Sequence, residues 1–394
     1  MNKILLSDRS LKVRPQPMFN IMSMATKLEK ENNKKIIHLE IGNTGFFKNK
    51  KFLKILKAET KLNNMHYVGS AGIYKLREKI IKKHQINHNN LSFENIIISS
   101  ANSLITMFLY NLVNENEKVL ILRPYFPTYD LSCKALNLNA VYYDLNEKNN
   151  WEITADEFLD LYKKNNFKAV IINNPSNPSG KIMKNHIINQ ILKICETKGI
   201  FCLLDYTYYN LTFDKTEKPK VFFNKYSFYI FSYSKDAAIP TLRLGYGLGD
   251  AKVIKKIQEM NSLIYSCYPA ISQNALLRYI PYENSFLREI NNSLIYRVKL
   301  AVKILNKSTK LNVIIPDGGI YLFVKILDNK INGDQFAKKL LSEYGVCVCP
   351  GSSFGSSYVK YFRINLAGKF FELKIGLNKI VLFFDRLNAK KKKI

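Results

Sequence analysis

No apolar stretch of this 394-residue chain reaches the ~18 residues that a membrane span needs, so a membrane partner is not expected. The first residues, Met1-Asn2-Lys3-Ile4-Leu5-Leu6, meet charge at Asp8 and Arg9, too soon for the apolar centre of a secretory signal. None of the six cysteines (Cys133, Cys195, Cys202, Cys267, Cys347 and Cys349) makes a CxxC pair. Cys347-x-Cys349 lies in an apolar run before Pro350 and reads as a strand, so no metal site is expected. Scattered thiols of this kind fit a reducing, cytoplasmic setting. There is no internal repeat and no Gly/Ser-rich or Pro-rich linker. Acidic residues are scarce, 31 against 60 Lys and Arg, for a net charge of +29. Such a balance can mark a nucleic-acid binder. Here the lysines are spread along the whole chain, with no focused patch, which argues against nucleic acid as a partner. The one dense run, Lys390-Lys391-Lys392-Lys393, reads as a solvated end.

What remains is globular. The apolar share is 47%, and the length suits two domains. Short β-rich runs at 118–122, 140–143, 168–172, 200–204, 226–231 and 246–248 alternate with helical patterns. One of these is 184–198, with Ile187, Ile188, Ile191, Leu192 and Cys195 on one face. The alternation predicts an α/β fold, with a large domain built on a mostly parallel central sheet flanked by helices. The last third reads differently. A long helix near 285–306 leads to strands at 311–315, 320–326, 346–349 and 361–364, a helix from Asp334 and a final helix, which together predict a smaller α+β domain. The expected division is 48–284 for the large domain, with 1–47 and 285–394 forming the small one.

Three chemically pointed segments follow strands directly: Asn173-Asn174-Pro175-Ser176-Asn177-Pro178-Ser179-Gly180, Asp205, and Ser232-Tyr233-Ser234-Lys235. Ligands of open α/β sheets bind at such carboxyl ends. Arg243 and Gly245 follow Lys235 by eight and ten residues. A lysine flanked by small hydroxylated residues and an arginine suits a cofactor that is both an aldehyde and a phosphate monoester. The amine condenses with the aldehyde, and the hydroxyls and guanidinium take the phosphate. Pyridoxal 5'-phosphate has this chemistry.

The motifs then fall into a family order. Tyr67-x4-Gly72-x3-Leu76-Arg77 comes first, followed by the Asn-Pro segment ending at Gly180. Ser-x-Ser-Lys-x7-Arg-x-Gly-Tyr is next, then Pro350-Gly351-Ser352-x-Phe354-Gly355 and Phe362-Arg363-Ile364. From about Leu39 to Ala367 the chain resembles the fold-type I pyridoxal phosphate enzymes of the class I/II aminotransferase family.

The resemblance implies a role for each residue. Lys235 forms the Schiff base and then, as a neutral amine, moves the substrate's Cα proton. Burial and a nearby cation both lower a lysine pKa. Asp205, 28 residues after Asn177, pairs with the pyridine nitrogen. Tyr208 and Asn177 contact the 3'-oxygen of the cofactor, with Tyr209 a competing choice for the tyrosine. Ser100, Ala101 and Asn102 open a helix after the strand at 95–98 and offer free amides to the phosphate. Ser100 stands where the family has glycine. Ser232, Ser234 and Arg243 complete the phosphate cup. Phe126 stacks on the ring. Tyr67 reaches the phosphate of a neighbouring subunit, which implies a homodimer with shared sites. Arg363, helped by Gly42 and Asn177, binds the substrate carboxylate. Asn43-Thr44-Gly45 departs from the family's usual Gly-x-Pro-Asp, and Tyr206 replaces the Glu that usually follows the aspartate.

The expected activity is transfer of an amino group between an α-amino acid and a 2-oxo acid in ping-pong fashion. No arginine lies near Tyr265–Ser272, where some dicarboxylate-specific relatives carry one, which disfavours an acidic side chain. Two rival functions stay open. One is another pyridoxal phosphate reaction on the same fold, such as β-elimination or a ring-forming synthesis. The other is a basic binding protein with a retired site.

Overall fold

The structure is a computed structural model that describes residues 5–33, 35–61, 66–84, 91–213 and 217–389. The lysine run at 390–393 lies outside them. Along the described residues the strands are β1 (Ile37–His38), β2 (Ile96–Ser99), β3 (Lys118–Arg123), β4 (Asn139–Asp144), β5 (Ala169–Asn173), β6 (Phe201–Asp205), β7 (Ser227–Ser232) and β8 (Gly245–Gly249). They continue as β9 (Leu311–Ile314), β10 (Tyr321–Ile326), β11 (Val346–Cys347), β12 (Cys349–Pro350) and β13 (Tyr361–Asn365).

A seven-stranded sheet has the order β2-β8-β7-β6-β5-β3-β4. Pairs from β4 through β7 are parallel, and β8 runs antiparallel to both its neighbours, β2 and β7. Sheets covered by helices on both faces are built from near-continuous apolar runs. Alternate residues divide between the two faces. Ile96, Ile98, Leu120, Leu122, Val170, Ile172 and Leu204 join one core cluster. Ile97, Val119, Ile121, Ala169, Ile171, Leu203 and Ile230 join the other, with residues of the helices Ala101–Leu112 and Ala251–Tyr265. The close pairing of β8 depends on Gly245, where an added Cβ would sit 2.4 Å from the Phe231 carbonyl oxygen.

The second sheet has the order β12-β13-β10-β9 and is antiparallel throughout. The 23-residue helix Glu283–Leu305 leads into it and packs against the last helix, Phe370–Ala389. The run expected as one strand at 346–349 is divided. β11 pairs in parallel with β1, whereas β12 turns to pair with β13. The amide of Asn365 donates to the Leu39 carbonyl at 2.7 Å. The N-terminal segment is therefore stitched to C-terminal strands.

The predicted strands lie where the sequence puts them, but several run further. Asn173, Asp205 and Ser232 are the last residues of β5, β6 and β7, which are adjacent in the sheet. Three polar residues thus leave the same edge side by side.

Candidate active site

Beyond that edge is a cavity of about 300 Å³. A wider hollow of about 790 Å³ lies elsewhere, between Arg77, Phe93 and Lys255, but it gathers none of the residues given a catalytic, cofactor or substrate role above. The smaller cavity is lined by Gly42, Ala101, Asn102, Phe126, Asn177, Asp205, Tyr208, Ser232, Ser234, Lys235 and Arg243. Three other expected residues lie off its wall. Ser100 is a helix cap, Tyr67 is 85% exposed, and Arg363 is fully buried.

Asn173 orders the strand ends. Its Nδ2 donates to the Asp205 carbonyl at 2.9 Å, and its Oδ1 accepts from the Asn177 amide at 2.6 Å. The Asp205 carboxylate is buried and bonded to neutral donors, the Tyr129 hydroxyl at 2.7 Å and the Thr207 amide at 3.0 Å. Burial pushes its pKa up despite these bonds. A buried carboxylate with neutral donors gains from a cationic partner facing the cavity.

Lys235 sits in the short helix Tyr233–Asp236 that follows β7 without a break. Its Nζ donates to the Gly42 carbonyl at 2.6 Å. Burial lowers its pKa, and Arg363 and Arg243 act in the same direction against Tyr321. The N-terminal loop is fastened here. Thr44 Oγ1 donates to the Ser234 carbonyl at 2.7 Å, and Asn49 Nδ2 donates to the Ala237 carbonyl at 3.0 Å. Gly42 can carry no side chain, since a Cβ would lie 1.8 Å from the Tyr321 hydroxyl.

The helix Ala101–Leu112 presents Ala101 and Asn102 of its first turn to the same cavity that Ser232, Ser234 and Arg243 line. The Ala101 and Asn102 amides, at the start of that turn, have no carbonyl acceptor within their own helix and can serve an anion. Ser100 caps the helix, its Oγ accepting from the Ser103 amide at 3.2 Å and meeting the Ser103 hydroxyl at 2.8 Å. Its φ of −76° is ordinary, so serine replaces glycine here without strain. Arg243 has φ 55°, and its Nη1 donates to the Pro240 carbonyl at 2.8 Å.

Arg363 stands one layer behind the wall. Nη1 donates to Asn177 Oδ1 at 2.8 Å and Nη2 to the Glu40 carbonyl at 2.5 Å. Among the described residues Nε is buried without a partner. Its guanidinium lies 4.0 Å from the centroid of the Tyr321 ring. An unmet buried donor costs about 1–3 kcal/mol, so a carboxylate arriving there is favoured. Of the two candidate tyrosines, Tyr208 lines this cavity. Tyr209 lines a separate hollow with Asp236 and Tyr246.

The motif reading missed several residues. Tyr129 holds Asp205 and lies three residues after Phe126, with its ring edge-on to that ring at 5.8 Å. Tyr321 lies outside every motif read from the sequence and is 113 positions from Tyr208. Gln16, Met18, Phe19 and Ile41 also line the cavity. The helix Pro17–Asn32 begins there, with Gln16 Nε2 donating to Thr128 Oγ1 at 2.8 Å.

The cavity therefore offers an amine, a carboxylate and an anion cup, with a guanidinium close behind. That set fits a cofactor carrying an aldehyde, a phosphate and a basic ring nitrogen. Comparison with known proteins points the same way. Residues 34–380 match the family model for aminotransferase class I and II. The chain is 30% identical over 390 residues to a (5-formylfuran-3-yl)methyl phosphate transaminase of Methanocaldococcus jannaschii, covering 97% of this chain and 100% of that one. It is 26% identical to an aromatic-amino-acid aminotransferase of Thermococcus litoralis, covering 95% and 97%. Among solved structures, a Methanococcus jannaschii protein superimposes with a TM-score of 0.85 at 28% identity, covering 96% and 100%. It is described as similar in its active site to kynurenine aminotransferases. The aspartate aminotransferase of Rhizobium meliloti shares the fold, with a TM-score of 0.89 at 22% identity over 98% and 100%.

Proposed function

The chain belongs to the class I and II aminotransferases, and from that membership we propose how its residues divide the work. The protein is an aminotransferase that moves an amino group between an α-amino acid and a 2-oxo acid in two half-reactions. Its cofactor is pyridoxal 5'-phosphate. When bound, that group supplies an aldehyde for the amine and a ring that draws electrons from the substrate's Cα.

Lys235 is the residue that would hold the cofactor through its aldehyde. As a free neutral amine, Lys235 would be the base that moves the substrate's Cα proton. A lowered pKa supports this role, because only the neutral amine accepts a proton. Asp205, oriented by Tyr129, holds the proton on the ring nitrogen. The amides of Ala101 and Asn102, with Ser232, Ser234 and Arg243, bind the phosphate, and Ser100 sets the helix start that aims them. Phe126 covers one ring face. Asn177 and Tyr208 hold the ring oxygen. Arg363 takes the substrate carboxylate beside Gly42 and Asn177.

Met18, Phe19 and Ile41 line the cavity, which supports a neutral, apolar amino donor. The exposed Tyr67, with the exposed Leu263 and Tyr265, supports a homodimer in which Tyr67 reaches its partner's phosphate cup. The parallel pair of β1 and β11 supports a small domain made of 1–47 and 285–394 beside a large domain of 48–284. A cytoplasmic location fits the six free cysteines, five of them buried. Among the described residues no helix is long and apolar enough to cross a membrane.

The observation that carries this reading is the single cavity joining Lys235, Asp205 and the phosphate cup. The test is a half-reaction screen. Enzyme loaded with cofactor is mixed with each amino acid, and the visible cofactor band is followed. Transamination bleaches the band, and a 2-oxo acid restores it. Ammonia release with no need for a 2-oxo acid would instead mark elimination chemistry.

A further inference from the structure

Tyr321 opens β10, and its neighbours follow from register. Phe323 pairs with Arg363 across β10 and β13, and Tyr321 lies two residues along the same face. The diagonal contact places the Arg363 guanidinium over the Tyr321 ring at 4.0 Å. The ring meets Tyr208 edge-on, with centroids 6.0 Å apart. The Tyr208 hydroxyl donates to the Tyr321 hydroxyl at 3.4 Å. Glycine at position 42 leaves the space that the Tyr321 hydroxyl fills. Tyr321 therefore touches groups from three separate elements, and it is 5% exposed.

We propose that Tyr321 is a positioning residue of the transamination, with two separable contacts. Its hydroxyl aims the Tyr208 hydroxyl at the cofactor's ring oxygen, and its ring face fixes the plane of the Arg363 fork. The inference rests on the roles given above to Tyr208 and Arg363.

With a ring oxygen in reach, Tyr208 turns its proton to that acceptor. Its own oxygen then accepts from Tyr321, and the two hydroxyls polarise in one direction. The groups acting on Tyr321 are Arg363, Lys235, Tyr208 and Cys349, and those acting on Tyr208 are Tyr321, Arg363 and Asp205. Burial and the bond from Tyr208 act on the Tyr321 phenol in opposite directions, and once Tyr208 turns its proton away the Arg363 and Lys235 charges still favour release of the Tyr321 proton. A more acidic phenol is a better donor. For Arg363, two nitrogens are held by Asn177 and Glu40, and the stacked ring restrains the remaining rotation.

The experiment uses the holoenzyme and the variants Tyr321→Phe and Tyr321→Leu, each checked by thermal melting. The first reading is the pH titration of the visible cofactor band. A donor to the ring oxygen disfavours the protonated form of the band. Tyr321→Phe should therefore raise the midpoint by about half to one pH unit. In a Tyr208→Phe background it should add no further shift, because the effect passes through Tyr208. The second reading is the Kd of an unreactive monocarboxylate. Tyr321→Phe keeps the ring and should leave it within about twofold, whereas Tyr321→Leu should weaken it about 3- to 30-fold. An unmoved midpoint in Tyr321→Phe, an equal shift in the Tyr208→Phe background, or wild-type carboxylate binding by Tyr321→Leu overturns the proposal. A wild-type protein that forms no visible band with the cofactor overturns the transamination reading itself, and the proposal with it.

Discussion

Replacing Arg363 separates substrate recognition from cofactor binding, and the structure sets the size of the effect. The side chain has no exposed surface, and two of its nitrogens hold Asn177 Oδ1 and the Glu40 carbonyl. In the role proposed for it, Arg363→Ala should lose charged bonds to a substrate carboxylate. Each is worth about 1.5–3 kcal/mol, or roughly 10- to 100-fold in affinity. It also strands two buried acceptors and opens a void, so a stability loss of about 2–4 kcal/mol is expected. Folding loss alone would lower every rate. The assay therefore compares an amino acid with its decarboxylated amine in the same variant. The amino acid should lose at least about tenfold more than the amine. Arg363→Lys is the second variant. It keeps the charge without the planar fork, and its loss should fall between those of wild type and alanine. Equal losses for acid and amine in both variants would refute a carboxylate role for Arg363, and with it the assignment of α-amino acids as substrates.

Lys235→Ala should abolish turnover and the covalent link to cofactor, read by mass spectrometry after borohydride reduction; normal turnover would falsify the assignment. Asp236, next to Lys235 and buried with Oδ1 unpartnered among the described residues, has its pKa raised from 3.8 to about 8 by burial and by Glu283. The folded chain then keeps a proton that the unfolded chain has released, so stability falls as pH rises from about 4 to about 8. Asp236→Asn should flatten that fall and raise stability at pH 8 by up to a few kcal/mol, since a tenfold change in proton affinity is worth about 1.4 kcal/mol. Urea unfolding across this range checks it, and a slope unchanged by the variant counts against it. Hybrids of Tyr67→Phe and Lys235→Ala chains test the shared site, with sedimentation reporting the dimer; a fully active dilute monomer would contradict it.

The chain order of apolar runs determined the α/β class, because strands buried on both faces can be built only from runs such as Val119–Leu122 and Ile96–Ile98. The lysine segment, the Asn-Pro segment and Asp205 were legible for the same reason. Their chemistry is local, and each follows its strand directly. Serine at 100 was legible as a departure from the family. Only the fold decided that its φ needs no glycine and that its hydroxyl caps the helix. The division of residues 346–349 between two sheets was hidden too, since it depends on which partner strand each half meets. Tyr321 and Tyr129 carry no local motif. They matter only because β10 pairs with β13, and because the helix Thr128–Ala135 points one phenol at the end of β6. The burial of Arg363 behind Asn177 and Tyr321 was likewise beyond the sequence. A motif fixes which side chain is present, but its exposure depends on what distant strands lay against it.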